Sequence, residues 1–436
     1  MNHRKKQILD MVKEYYHEIF ESNGDFIPGV TSIPYSGRVF DYNEMVHLVD
    51  SALEFWLTGG RFQKEFEDKL SHYLDAKNAI LVNSGSSANL LALSALTSEK
   101  LRDRRLKPGD EVITVASGFA TTVNPIFQNR LVPVFCDVEI GSYNIDINSL
   151  KRAISPKTRA IMVAHTLGNP VNIDILMELK DSHDLWIVED NCDGLGSLWG
   201  GQKTGNFGDL STLSFYPSHQ ITMGEGGAVV TNKAKLRKIV ESFRDWGRDC
   251  WCLPGKTNTC LKRYDWKLGD LPKGYDHKYI YSHIGYNMKA TEMQASIGVA
   301  QLDKVEEFVQ KRRDNFQFFY DYFTDKEKFF ILPKWHEKAQ PSWFGFPLTL
   351  KEKIPFKRAE IITFLEGKKI ATRMLMGGNL IRQPAYKNLE YRTADDLKYS
   401  DYIMNHTFWF GVYPGLSDIM KAYMIDCFDE FFSAYK

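Results

Sequence analysis

Residues 78–96 read Asn78-Ala-Ile-Leu-Val-Asn-Ser-Gly-Ser-Ser-Ala-Asn-Leu-Leu-Ala-Leu-Ser-Ala-Leu96. A short apolar run gives way to a turn of small polar residues, and an apolar stretch at helical spacing follows. That order predicts a buried strand feeding a helix. Downstream the strand pattern recurs in EVITVA from 111, LVPVFCDV from 131, RAIMVAH from 159, LWIVED from 185, STLSF from 211 and GAVVTN from 227. Seven such runs, with helical patterns over segments such as 88–101 and 171–183, predict an α/β fold. It would be a doubly wound domain, one mostly parallel seven-stranded sheet with crossover helices on both faces. From Met293 through Ile297, Ala300, Leu302, Val305 and Val309 the apolar residues fall three and four apart, so a long helix should lead out of the sheet. A smaller C-terminal α+β domain is expected beyond it. The predicted division is an N-terminal helical and extended segment over 1–45, the large α/β domain over 46–300 and the small domain over 301–436.

Lys plus Arg balances Asp plus Glu at 55 each in the 436 residues, so no net field favours nucleic acid or anionic membrane. The opening MNHRKKQILDMVKEYYHEIFE alternates polar and apolar residues, which predicts an amphipathic helix and not a secretory signal. No apolar run approaches the roughly 18 to 20 residues that a bilayer span needs. A soluble, cytoplasmic protein is expected. Six cysteines are too few for a disulfide scaffold in so long a chain, yet three of them fall within 250–260. They lie in the stretch 245–278, which is rich in Gly, Pro, Asp, Lys and Trp without periodicity and reads as a long ordered loop. Loops of that length usually serve a function.

The turn Asn83-Ser-Gly-Ser-Ser-Ala-Asn89 gathers free backbone N–H groups at the positive end of a helix, where a phosphate would fit. A plain helix-capping turn is the competing reading. LWIVED ends a strand on Glu189 and Asp190, at the sheet edge where open α/β folds bind ligands. A carboxylate that merely caps the next turn is equally compatible. The third element is SFYPSHQITMGEGG over 214–227, again a strand followed by a polar turn.

Taken in order, NSGSSAN, LWIVED, LSFYPSH, GEGG and YNMKATEMQASIGVAQL resemble the DegT-type nucleotide-sugar aminotransferases, pyridoxal phosphate enzymes of fold type I, from about residue 28 to the end. The resemblance implies that Ser86, Ser87 and Ser214 hold the cofactor phosphate, together with Asn287 reaching in from a neighbouring subunit. It therefore implies a homodimer with shared sites. Asp190 would pair with the pyridine N1–H and keep the ring able to accept electron density. Phe119 would stack on the ring, and Asp193 stands where relatives usually place Gln or His against the ring hydroxyl.

Five residues before Gly224 the family carries the lysine that forms a Schiff base with the cofactor; this chain has His219. An imidazole cannot form that bond, so the cofactor must be held noncovalently. Pyridoxamine 5′-phosphate is the form that fits, because its own amine can condense with a ketone. A histidine with an ordinary pKa of about 6.5 can act as general base at neutral pH. The branch of the family with this change comprises 4-keto-6-deoxyhexose 3-dehydratases, of which one kind is metal-free and uses glutamate and the other draws electrons from a [2Fe–2S] cluster.

Cys192, Cys250, Cys252 and Cys260 form the pattern C-x57-C-x-C-x7-C. On the residues alone, four thiolates suit a [2Fe–2S] cluster or a structural zinc about equally. The resemblance decides for the cluster, since this spacing is that of the iron–sulfur dehydratases. The implied activity is C-3 deoxygenation of a nucleotide-linked 4-keto-6-deoxyhexose, with CDP-4-keto-6-deoxy-D-glucose the expected substrate, on the route to 3,6-dideoxyhexoses of surface polysaccharide. A dTDP-linked substrate and the metal-free reaction are the alternatives. A separate flavin and iron–sulfur reductase using NAD(P)H is implied, because the chain carries no dinucleotide fingerprint of its own. Secondary candidates are His165 and Asn169 at a strand end, Arg38 and Arg382 as diphosphate anchors, the 53–60 stretch LEFWLTGG as a sugar-pocket wall, and Trp251, Tyr264 and Trp266 in the loop. Each also has a plain reading as a turn, surface or packing residue.

Overall fold

The computed structural model describes residues 2–21, 26–252 and 255–435. Each of the seven predicted runs matches a strand to within a residue or two: β1 (Ala79–Val82), β2 (Glu111–Val115), β3 (Val132–Cys136), β4 (Thr158–Ala164), β5 (Trp186–Asp190), β6 (Leu210–Ser214) and β7 (Gly227–Val230). They lie side by side in the order β1-β7-β6-β5-β4-β2-β3. The pairs from β6 to β3 are parallel, whereas β7 runs antiparallel to both β1 and β6. Helices cover both faces, which is why the strands read as unbroken apolar runs and not as alternating ones.

The sheet has one strand more than the seven expected. Arg392–Thr393 joins it in parallel beside β3. Two polar residues give no strand signal, and this one exists because Arg392 reaches the Glu111 carboxylate with Nε and Nη2 at 3.1 and 2.8 Å. The expected long helix is likewise two, Glu292–Leu302 and Val305–Thr324, broken at Asp303 and Lys304. The second one serves two cores. Val305, Phe308 and Val309 pack with the large sheet, while Phe316, Phe319 and Phe323 enter an aromatic core with Phe346, Phe410 and Phe428. That core backs a second, antiparallel sheet of β8 (Phe330–Ile331), β9 (Gly345–Leu350), β10 (Thr372–Met374) and β11 (Thr407–Gly411), ordered β8-β9-β11-β10.

The chain opens with the expected helix, His3–Ile19, capped by Asn2. One cap farther along is made at a distance: the buried carboxylate of Glu292 accepts from the backbone N–H of Gly60, Phe62 and Gln63 at 2.6, 2.9 and 2.9 Å. Those groups begin the helix Arg61–Tyr73, so an anion sits where the helix dipole favours one. Among the described residues, 245–276 holds isolated bridges at Asp245 and Arg248 but no helix or strand, as the sequence predicts. Leu253 and Pro254 of that loop lie outside the described residues. Among the described residues no helix is long and apolar enough to cross a membrane.

Candidate active site

The helix Gly85–Leu96 starts immediately beyond β1, and its cap Ser84 accepts from the Ser87 N–H at 3.1 Å. The N–H groups of Gly85 and Ser86 remain at the helix start, where an anion is favoured. Space there is limited by design of the backbone. A Cβ on Gly85 would lie 2.5 Å from Ser214 Cβ and 2.9 Å from Cys192 Sγ, and one on Gly227 would lie 2.3 Å from the Ser84 carbonyl oxygen. Glycine at 85 and at 227 thus lets the β6 end, the β7 start and the helix turn converge. Ser86 Oγ donates to Thr121 Oγ1 at 3.0 Å, which draws the Phe119 turn alongside. Phe119 precedes the helix Ala120–Gln128, and its ring is 54% exposed, an apolar face open beside the cradle.

Asp190 ends β5 and is buried. Its Oδ2 accepts from Asn89 Nδ2 at 2.8 Å and from Thr122 Oγ1 at 2.7 Å, while Oδ1 takes one long bond of 3.2 Å from the Cys192 N–H. Oδ1 therefore keeps acceptor capacity for a ring N–H. Asn89 and Thr122 lacked any signal as partners, being 101 and 68 residues away from Asp190. The cradle, the open aromatic ring and the half-satisfied buried carboxylate together fit a pyridine ring with a phosphate arm.

His219 lies on the turn after β6. Its Nδ1 is buried without a hydrogen-bond partner and is 3.6 Å from Asp193 Oδ1. Burial first, and then the positive field of Arg312, pull the imidazole pKa down to about 3. Asp193 moves the other way, up to about 7, because burial and the nearby Asp190 disfavour its charge. Arg312 holds the turn from behind: Nη2 donates to the Ser218 and His219 carbonyls at 3.3 and 3.0 Å, and Nη1 to those of Trp343 and Phe344 at 3.2 and 3.3 Å. Arg38 lines a small cleft with Pro217, His219 and Arg312, so this candidate does reach the site. Arg382 is engaged with Asp401 at 2.8 Å. His165 is fully buried, joined to Glu189 Oε2 at 3.1 Å through Nε2 and accepting from the Val171 N–H through Nδ1, which makes it a fastening of the strand ends. Asn169 is used the same way, donating to the Ser142 and Lys334 carbonyls. Asn287 is exposed, with its Oδ1 accepting from Lys289 Nζ at 2.7 Å.

The cysteines divide. Cys250, Cys252 and His277 bring ligand atoms within 4.8 Å of one another, and Cys260 Sγ lies 3.6 Å from His277 Nε2. Cys192 is instead packed by Gly85 and Ser214 at the cofactor cradle, outside that group. Burial pushes the Cys192 thiol well up, and Asp190 adds to the effect. At Cys252 burial also acts to raise the pKa, but the Thr259 hydroxyl at 3.0 Å and nearby N–H groups outweigh it and favour the thiolate. Two buried thiols and a buried imidazole, with the partly exposed Cys260 thiol against the ring, make a donor set that suits a metal–sulfur centre. His277 gave no signal in the sequence, because its place among the cysteines comes from the loop's path.

A family model described as the DegT/DnrJ/EryC1/StrS aminotransferase family matches residues 41–429. The chain is 52% identical over 431 residues to lipopolysaccharide biosynthesis protein RfbH of Salmonella typhimurium, covering 99% of this chain and 98% of the relative. It is 49% identical over 427 residues to dTDP-4-dehydro-2,6-dideoxy-D-glucose 3-dehydratase of Saccharopolyspora spinosa, covering 98% and 92%. Among solved structures, a histidine-to-asparagine mutant of GDP-4-keto-6-deoxymannose-3-dehydratase with bound GDP-perosamine superposes with a TM-score of 0.82 at 29% identity, covering 90% of this chain and 99% of that one. The Escherichia coli GDP-4-keto-6-deoxy-D-mannose-3-dehydratase with bound hydrated PLP gives 0.81 at 29%, covering 90% and 98%. The fold is that of the type I aminotransferases.

Proposed function

Because the chain belongs to the DegT/DnrJ/EryC1/StrS aminotransferase family, we propose that it is a pyridoxamine 5′-phosphate-dependent, iron–sulfur 3-dehydratase acting on a nucleotide-linked 4-keto-6-deoxyhexose. The observation that carries this reading is His219, a neutral imidazole fixed on the turn where the family's lysine would stand. Ser86, Ser87 and Ser214, with Asn287 of the partner subunit in a homodimer, would hold the phosphate. Phe119 would cover the ring, Asp190 Oδ1 would accept its N–H, and Asp193 would face its hydroxyl edge. When bound, pyridoxamine 5′-phosphate supplies an amine that condenses with the sugar ketone and a ring that takes up electron density as a proton leaves.

His219 is the group that accepts that proton. Nδ1 lies 3.6 Å from Asp193 Oδ1, so the lone pair of Nε2 would take the proton and the Asp193 carboxylate would offset the charge gained. Loss of the sugar 3-hydroxyl follows from the same deprotonation. Cys192, Cys250, Cys252 and Cys260 would hold a [2Fe–2S] cluster, with closure of the 245–278 loop onto Cys192 when metal binds. Electrons would come from a separate flavin and iron–sulfur reductase that uses NADH or NADPH.

CDP-4-keto-6-deoxy-D-glucose is the proposed substrate. A dTDP-linked sugar is the second reading, favoured by the named substrate of the Saccharopolyspora relative. Anaerobically purified protein, incubated with each nucleotide sugar, pyridoxamine 5′-phosphate, the reductase and NADH, is expected to release a 3-deoxy sugar from one of them. A glutamate-dependent reaction by iron-free protein would establish the metal-free kind, and an untouched 3-hydroxyl under all conditions would remove the enzyme from this class.

A further inference from the structure

In the loop after residue 245, Cys250, Cys252 and His277 bring their ligand atoms together, and Cys260 joins them through its contact with the histidine. His277 is 1% exposed, and its ring has Cys260 Sγ at 3.6 Å from Nε2 and 4.0 Å from Nδ1. Cys250 and Cys252 complete a group with it inside 4.8 Å. The ring is held from two sides. Its backbone N–H donates to the Arg263 carbonyl at 3.0 Å, and the Arg263 guanidinium returns to Asp276 with Nε at 2.9 Å, closing a strap around the histidine. Trp266 meets the imidazole edge-on at 4.7 Å between centroids, and Trp251 stands 6.2 Å away on the same side. Indole walls offer no acceptor for an imidazole N–H. A buried N–H without a partner costs free energy, and sulfur is the partner the pocket provides.

We propose that His277 is a positioning residue of the metal–sulfur centre, donating an N–H hydrogen bond to the Cys260 sulfur and holding that thiolate next to the Cys250 and Cys252 pair. This rests on the reading that the thiols carry a [2Fe–2S] cluster. A donor on a ligating thiolate withdraws negative charge from it, and one-electron reduction adds a further negative charge to a pocket lined by two indoles. The donor therefore favours the reduced cluster. In effect His277 sets the cluster to accept electrons at a less negative potential than four unassisted thiolates would.

The test uses anaerobically purified holoenzyme as wild type, His277→Phe and His277→Gln, with iron and acid-labile sulfide measured first and the midpoint read by mediated redox titration under EPR. Phenylalanine keeps a ring against Trp266 without a donor, and glutamine keeps a donor. All three are expected to load equally. The phenylalanine variant should shift the reduction equilibrium about tenfold toward the oxidised cluster, which is about 59 mV for one electron, and the glutamine variant should recover about half of that shift. His277→Leu replaces the phenylalanine variant if the larger ring does not fold. Equal midpoints in loaded wild type and donor-free variant overturn the assignment. Loss of iron from a folded His277→Gln protein also overturns it, because it makes the imidazole a ligand. Wild-type protein without iron and sulfide sinks the cluster reading and this one together, whereas iron present with an unmoved midpoint sinks this one alone.

Discussion

Residue 219 shows how much depends on surroundings. In an unfolded chain its imidazole would bind a proton near 6.5, but in the fold only near 3. The stability it contributes is therefore full above about 6.5 and lost as pH falls toward 3. Asp193 has the opposite sign: raised to about 7, it contributes below its ordinary carboxylate range and loses that contribution as pH rises through about 7. Thermal melts of cofactor-free protein should accordingly fall more steeply for wild type than for His219→Asn between about pH 6.5 and 4, and parallel curves would show that the buried imidazole is not neutral. The same substitution is expected to slow sugar deoxygenation by about 10²–10⁴-fold, with cofactor absorbance on the protein retained; an unimpaired rate would take the base role away from it. His219 and the cysteines could be singled out in the sequence, since each is a residue type at a countable spacing, but the division of Cys192 from the loop cysteines could not. Nor could Asn89, Thr122, Arg312 and His277. Their importance comes from partners brought close by folding, and no local pattern records such a meeting.

At the scale of elements, legibility followed burial. All seven two-face-covered strands are visible as apolar runs, while Arg392–Thr393 is held by an arginine–glutamate pair and the Asp303–Lys304 break interrupts an otherwise continuous helical pattern. Glu292 illustrates a cap that no sequence rule could find, because it lies 229 residues or more from the N–H groups it satisfies. Glu292→Gln should cost about 2 kcal/mol, from the lost anion at a helix start and weakened hydrogen bonds, measurable as a lowered midpoint in urea with an unchanged slope. Gly227→Ala places a methyl group against the Ser84 carbonyl. Overpacking of that kind costs about 3 kcal/mol, and the displaced turn should also weaken phosphate binding; a variant that melts and binds as wild type would mean the two segments can separate freely.

Across the whole molecule, 245–276 is the longest stretch without regular structure among the described residues, and the Cys250 and Cys252 thiols there lie close together with no covalent tie. Brief proteolysis of metal-free protein should cut there first, and reconstitution with iron and sulfide should protect it, as mass spectrometry of the fragments would report. Equal cleavage with and without metal would exclude a loop organised by the cluster. Elsewhere the molecule is fastened across its length, by Arg392 to the sheet edge and by the Tyr399 and Ser400 N–H groups to Asp137 at 2.8 and 2.7 Å. Arg312 is the innermost of these fastenings, gripping both the Ser218–His219 turn and the Trp343–Phe344 segment. A lysine reaches its target on a flexible four-carbon stem; this imidazole is short and its mount is bolted on two sides. If His219 is the proton acceptor proposed above, the sugar must travel to it, and the accuracy of the reaction would be set by how the nucleotide end is seated and not by any swing of the side chain.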